Sequence, residues 1–365
     1  MTVVTPSTLG PVRTTYAGAA DFPPMARAYS EVSRVARETG LYERTPWFYG
    51  LLGGGIALAL GGAIAGFVLL GQSWFQLLIA AALGIIFTQI AFLAHEAAHR
   101  QILASGPASD RLARLLAASI GLSAAWWDRK HSRHHGNPNR VSKDPDIAID
   151  TISFLEEDAA SARGVRRAIT RHQGWLFFPL LTLEGLNLHA LSFRHLLTPG
   201  KVPGRWTELA LITTCFAAYL VPLFLVLGPG MAFAFLGVQM AVFGVYMGAS
   251  FAPNHKGMPI IAKDAKLDFF TKQVRTSRNI RGGWWATALM GGLNHQIEHH
   301  LFPNMARPHL GRARAIVRDF CASRDVPYAE TSLVGSYAIV VRYLNRVGLA
   351  ARDPFDCPAA AQFGR

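Results

Sequence analysis

Two long stretches of the chain carry no charge, and the residues around them are mixed. From Thr45 to Ala94 no charged side chain interrupts the sequence. That run accommodates two helices of about 20 residues, the length an apolar layer of ~30 Å requires. Gly71, Gln72 and Ser73 supply the turn between them, so spans are expected at residues 48–70 and 74–94. Charges vanish again from Leu209 to His255, where spans at 209–228 and 231–251 turn at Gly228, Pro229 and Gly230. Between these blocks, Leu112 to Trp127 is too short for a span, and Trp175 to Leu197 is interrupted by Glu184, Asn187, His189 and Arg194. Both read as helices lying at the membrane interface. Near the start, Ala28, Val32, Val35 and Ala36 recur at helical spacing among charged residues. They predict a short amphipathic helix that lies on the membrane, covers a site from below, or is simply solvated. Residues 1–24 contain no apolar region after a basic start, so no cleavable signal peptide is expected. Residues 350–365 are expected to be loosely ordered.

Each charge-free block is therefore a hairpin, with the lysines and arginines on one side of it. By the positive-inside rule the N-terminus, residues 95–205 and residues 252–365 are cytoplasmic. The pattern predicts an all-α integral membrane protein with four transmembrane helices in two hairpins. Composition agrees: 51% of the residues are hydrophobic and 16% charged, too apolar for an ordinary soluble enzyme. The net charge of +13 is scattered between apolar blocks, not gathered in an aromatic-interleaved patch, which argues against a nucleic-acid partner. Cys215, Cys321 and Cys357 lie far apart without a C-x-x-C pair, which argues against a disulfide framework and against a cysteine-ligated iron-sulfur site.

The chemistry resides in the histidines. His131, His134 and His135 are spaced i, i+3, i+4, which sets three imidazoles on one helical face. A His-rich, solvated basic helix is the plain alternative, since Arg129, Lys130 and Arg133 stand among them. The same spacing recurs in Gln296, His299 and His300, and His95 and His99 lie four apart in HEAAH. An even number of crossings separates these clusters, so all three emerge at one membrane face and can converge on a metal. Asp144 and Asp146, beside turns marked by Asn137-Pro138 and Asp144-Pro145, are placed either to hydrogen-bond ligand imidazoles or to cap local structure. Pro303 and Pro308 are expected to close the helix of the third cluster. His172, His189 and His195 read as structural or surface residues. HEAAH also satisfies H-E-x-x-H, in which two histidines hold zinc and a glutamate is the general base. A membrane zinc protease would leave the other two clusters without a task.

HEAAH, KHSRHH followed by NPN and DPD, and NHQIEHHLFP resemble the three histidine boxes of the membrane fatty acid desaturase family, in order, over about residues 30–330. The resemblance implies a four-helix membrane stem under a helical cytosolic cap. In those terms residues 1–47 form a cytosolic segment, 48–94 the first hairpin, and 95–205 the cap with the first two boxes. Residues 206–251 form the second hairpin, and 252–365 a cytosolic region with the third box. It also implies two non-haem iron ions, dioxygen as co-substrate, and His95, His99, His131, His134, His135, His299 and His300 as ligands. The substrate would be a fatty acyl-CoA or acyl-lipid in the bilayer, and a separate ferredoxin or flavin reductase would supply electrons.

This chemistry stands on its own terms. A methylene carries no acidic proton, so acid-base groups cannot attack it, whereas an imidazole-held metal with dioxygen can. An apolar tunnel entered from the membrane surface would place the acyl chain, and basic residues would hold an anionic carrier. The third box begins with Gln296 where many members have histidine. This resembles the front-end subgroup, whose members often carry a fused cytochrome b5 domain, but no His-Pro-Gly-Gly haem motif occurs here. Seven histidines are few donors for two irons. His255 follows the fourth span directly and is the expected further ligand, with Asn254 beside it. The Gln296 amide is expected to orient water or substrate, and His295, turned about 100° away on the helix, is not expected to substitute. A related di-iron hydroxylase or ketolase shares the boxes, and a haem carrier is the remaining alternative.

Overall fold

The computed structural model describes residues 16–18 and 25–351. The rest of the N-terminal segment, the C-terminal stretch from residue 352 and Cys357 lie outside the described residues. The described chain is mostly helical. In order come α1 (Ala28–Glu38), α2 (Pro46–Leu70), α3 (Gln76–Ala98), α4 (Gly106–Ser119), α5 (Ala124–Gly136), α6 (Glu156–Ala160), α7 (Gly164–Arg171) and α8 (Gln173–Leu180). There follow α9 (Glu184–Leu197), α10 (Arg205–Val226), α11 (Pro229–His255), α12 (Phe269–Thr276), α13 (Trp284–Leu289), α14 (Gln296–Leu301), α15 (Arg307–Ala322) and α16 (Leu333–Leu349). Among the described residues one two-stranded parallel sheet, β1 (Asn279–Arg281) with β2 (Glu330–Ser332), sets Ile280 opposite Thr331 and ties the approach to the third box to the start of α16.

Four of these helices coincide with the charge-free blocks. α2 turns into α3 through residues 71–75, and α10 turns into α11 through residues 227–228. Gln72 joins the two turns: its Nε2 donates to Val226 O at 2.7 Å and its Oε1 accepts from Gly228 N at 3.2 Å. Both hairpins therefore turn at the same end of the bundle. α3 and α11 pack along each other at its centre. At Gly84 an added Cβ would lie 2.8 Å from Val242 Cβ and 2.9 Å from Gln239 O, so only glycine lets these backbones approach so closely. α2 is peripheral: 6% of its most apolar stretch is buried, against 50% for α3, and Trp47, Leu58 and Leu69 face outward. Outward apolar side chains on a helix of this length match a lipid environment.

Three stretches carry detail beyond the sequence reading. Residues 173–197, read as an interfacial helix, form a fifth helical stretch long and apolar enough to cross a membrane. It is bent, because Pro179 lies inside α8 and a 3-10 turn at Leu181–Leu183 separates it from α9, as the missing proline N–H dictates. Leu112 to Trp127 is two helices, broken where Gly121 takes a left-handed φ of 77° and Ser123 caps α5 by accepting from Trp126 N. Pro303 does end α14, but Pro308 sits in the first turn of α15, a position that needs no N–H. The predicted amphipathic helix is α1. It buries Ala28, Val32 and Ala36 against Phe270, Ile297 and Val317, and so covers the segment that bears the third box.

Candidate metal centre

The three boxes reach one place because each ends a helix or fills a short one. α3 leaves the bundle with His95 in its last turn and His99 at its C-cap. α5 carries His131, His134 and His135 through its last two turns, anchored at its start by Glu208 of α10. That carboxylate accepts from Ser123 Oγ at 2.6 Å and Ala125 N at 3.1 Å, which suits the positive end of a helix. α14 supplies His299 and His300, and α11 ends at His255.

Two groups of imidazoles result. His95, His99, His131, His135 and His299 place donor atoms within 4.8 Å of one another, and so do His134, His255 and His300. In the first group His131 Nε2 lies 3.2 Å from His95 Nε2 and 2.9 Å from His99 Nε2. In the second, His134 Nε2 lies 3.3 Å from His255 Nε2. The groups adjoin: the rings of His135 and His300 stack with centroids 4.2 Å apart. Asp144 and Asp146 form a third group with His134.

The outer nitrogens fix the inner ones. His134 Nδ1 is 3.0 Å from Asp144 Oδ1, His255 Nδ1 is 2.9 Å from Thr276 O, and His300 Nδ1 is 2.9 Å from Gln273 Oε1. Donating from Nδ1 leaves each Nε2 with a lone pair directed inward. Gln273 also donates to His135 O at 2.8 Å, and Trp127 stacks on His131 with centroids 4.1 Å apart. Burial pushes His99 down to about 4 and, with the charges of neighbouring imidazoles, holds His131, His135, His299 and His300 well below the usual range. Burial would lower His134 too, but the charges of Asp144 and Asp146 outweigh it and raise it.

The donor set fits a metal. The Nε2 atoms of His135, His299 and His300 are buried without a hydrogen-bond partner, an arrangement that costs free energy unless something electrophilic occupies the space between them. All eight histidines expected as ligands stand in the two groups. His295 lies outside both, with its Nε2 3.2 Å from Asn294 Nδ2. Gln296 sits beside the second group, its Nε2 2.9 Å from His255 Nε2 and its Oε1 accepting from Asn254 Nδ2 at 3.1 Å.

Glu96, the would-be base of a zinc protease, points elsewhere. Its two oxygens accept from Arg307 Nε and an Arg307 terminal nitrogen, each at 2.6 Å, in a pair with 2% and 4% side-chain exposure. A carboxylate so engaged cannot activate water over a metal. Arg307, Gln273 and the Thr276 carbonyl were not singled out by the sequence. Gln273 and Thr276 share a short amphipathic helix whose pattern promises only a buried face, and nothing in the spacing ties Arg307 to Glu96.

A cavity of about 580 Å³ opens against His95. Its apolar wall is built of alanines from α3, α4 and α5, among them Ala91, Ala94, Ala113 and Ala117, with Met247 and Phe251 of α11. Toward the surface it is lined by Arg100, Arg129 and Lys201 and by Asp110 and Asp128, with Arg114 and the buried Glu208 also in its wall.

The family model for fatty acid desaturase matches residues 72–332. The Delta(8)-fatty-acid desaturase of Helianthus annuus is 28% identical over 347 residues, covering 90% of this chain and 75% of the relative. Fatty acid desaturase 3 of Homo sapiens is 26% identical over 88% of this chain and 72% of its own length. The acyl-lipid (9-3)-desaturase of Borago officinalis is 27% identical over 74% of this chain and 63% of its own length.

Proposed function

Because this chain belongs to the fatty acid desaturase family, we propose that its eight converging histidines hold two iron ions at one membrane face. The protein is an integral membrane oxidoreductase, a fatty acid desaturase. The reading assigns His95, His99, His131, His135 and His299 to one iron, and His134, His255 and His300 to the other. The observation that carries it is the pair of groups, within each of which the donor nitrogens lie within 4.8 Å of one another. When bound, the irons supply, from dioxygen and two external electrons, the oxidising power that removes two hydrogens from adjacent methylenes, with two protons taken up and two waters released. The chain's own residues do the rest. Neutral imidazoles give lone pairs, while Asp144, Thr276 O and Gln273 fix their tautomers. The alanine-walled cavity holds an acyl chain beside His95 and keeps water from it. Arg129 and Lys201 at its mouth have the charge to meet the phosphate of a coenzyme A thioester or a lipid headgroup. Gln296 is positioned to orient water or substrate, and its place in the third box supports attack between an existing double bond and the carboxyl end. A separate ferredoxin or flavin reductase supplies electrons from outside.

In this reading the stem is two hairpins, 48–94 and 206–251, under a cytosolic cap formed by residues 1–47, 95–205 and 252–365. Parity supports it. The second and third boxes meet, so an even number of crossings separates them. α10 and α11 supply two, so residues 173–197 lie along the interface. Their bend, Glu184 and Arg194 agree with that placement.

The test is metal analysis with product analysis. The purified protein should carry two irons and, in a host of known lipid composition, create new unsaturated fatty-acid methyl esters. His135→Ala should abolish the product and lower bound iron while the protein stays in the membrane; full activity in that variant would sink the di-iron assignment.

A further inference from the structure

Beyond the deep end of the 580 Å³ cavity lies a second, much smaller one of about 20 Å³, lined by Phe87, Gly121, His189, Phe216, Tyr219 and Met240 among others. The two have one lining residue in common, Ile120. Their order along the helices is consistent. On α3 the first cavity reaches Ala91 and the second Phe87; on α11 the first reaches Met247 and the second Met240. At a rise of about 1.5 Å per residue, Phe87 lies ~6 Å beyond Ala91 and Met240 ~10 Å beyond Met247, both away from the histidines. The small cavity therefore continues the large one, and Ile120 stands between them.

Ile120 is not free to swing aside. It is 2% exposed, and its carbonyl lies 3.0 Å from His189 Nε2 while its N–H donates to Ala117 O at 3.2 Å. The next residue, Gly121, is pressed against the same neighbours: a Cβ there would lie 2.6 Å from the His189 ring and 2.7 Å from Phe216. A left-handed turn with no room for a side chain holds the partition in register. On its far side the Tyr219 hydroxyl is buried without a hydrogen-bond partner among the described residues.

We propose that Ile120 is the stop met by the methyl end of the acyl chain, and so sets how many carbons fit between that end and the bond that is desaturated. This rests on the reading that the larger cavity holds the acyl chain. Shortening the side chain joins the two spaces, and lengthening it brings the stop toward His95. One helical turn is about 5.4 Å, so the accepted chain should change by roughly two to four carbons. A methylene too many or too few in a fitted apolar pocket changes selectivity by about 10- to 200-fold.

The experiment is expression of Ile120→Ala, Ile120→Val and Ile120→Phe in a host fed saturated and monounsaturated acids of graded length, with iron content measured on each purified protein. The ratio of long-chain to short-chain product should rise at least about tenfold in Ile120→Ala, rise less in Ile120→Val, and fall in Ile120→Phe. Bound iron should match the parent in all three. Opposite shifts from the smaller and larger side chains are a signature that simple loss of packing does not produce. Ala94→Phe, which fills the large cavity beside His95, separates the layers of the argument. If it keeps its iron but loses product at every length, the cavity holds the chain; an unchanged length profile in the Ile120 variants then overturns the role of Ile120 alone. Parental activity in Ala94→Phe overturns the acyl reading of the cavity itself.

Discussion

Replacing Arg307 by alanine tests how the first box is held against the third. The guanidinium makes two bonds of 2.6 Å to Glu96, both side chains are nearly inaccessible, and Glu96 adjoins His95. Removing one partner leaves a carboxylate buried without its counter-charge, which costs about 3–5 kcal/mol. Removing both partners leaves no uncompensated charge, so Glu96→Leu combined with Arg307→Met should recover most of that loss. Arg307→Lys restores the charge but not the two-pronged geometry and should fall between. Thermal unfolding in detergent, followed by circular dichroism, reads the effect: at roughly 1–2 °C per kcal/mol for a chain of this length, the single variant should melt about 3–10 °C lower. Iron content should fall with it, since α3 is no longer fixed against α15. A loss under about 1 kcal/mol in Arg307→Ala, or a double variant no better than the single, would mean that the buried pair does not hold α3 against α15. The same series separates this role from that of a protease base, whose removal abolishes activity without lowering the melting temperature.

Two further outcomes are expected. Cysteines placed at Ser132 and Asn304 should resist an impermeant thiol reagent added to intact cells and react once the membrane is opened; labelling from outside at either site would overturn the shared cytoplasmic face of the boxes. His255→Ala should lose iron and product while His295→Ala keeps its iron and Gln296→His retains iron with altered product, because His255 stands in the second donor group and His295 in neither; the reverse result in the first two variants would reject the ligand assignment.

Much of this was legible in the sequence because membranes and metals impose short-range rules. A span needs an unbroken apolar run, so α2, α3, α10 and α11 appear as charge-free blocks. A helix that grips a metal needs histidines on one face, so three and four residue spacings disclose the boxes. The bend at Pro179 and the break at Gly121 were harder, since apolar content alone does not distinguish one helix from two or a surface helix from a crossing one. What escaped altogether was long-range pairing. Gln273 earns its place only because α12 packs beside α14, and Arg307 only because α15 returns to the end of α3. No local pattern encodes either contact.

Gln72 clasps the two hairpin turns together, and those turns are short: residues 71–75 and 227–228 are all that lies between the helices there. Seen from that side, the described residues offer almost nothing to grasp. An antibody finds hardly an epitope, a protease finds no extended strand to cut, and a sugar-adding enzyme finds no loop long enough to enter its cleft. On the proposed two-hairpin topology, most of what a regulator or a partner could hold among the described residues lies on the face where the histidines are.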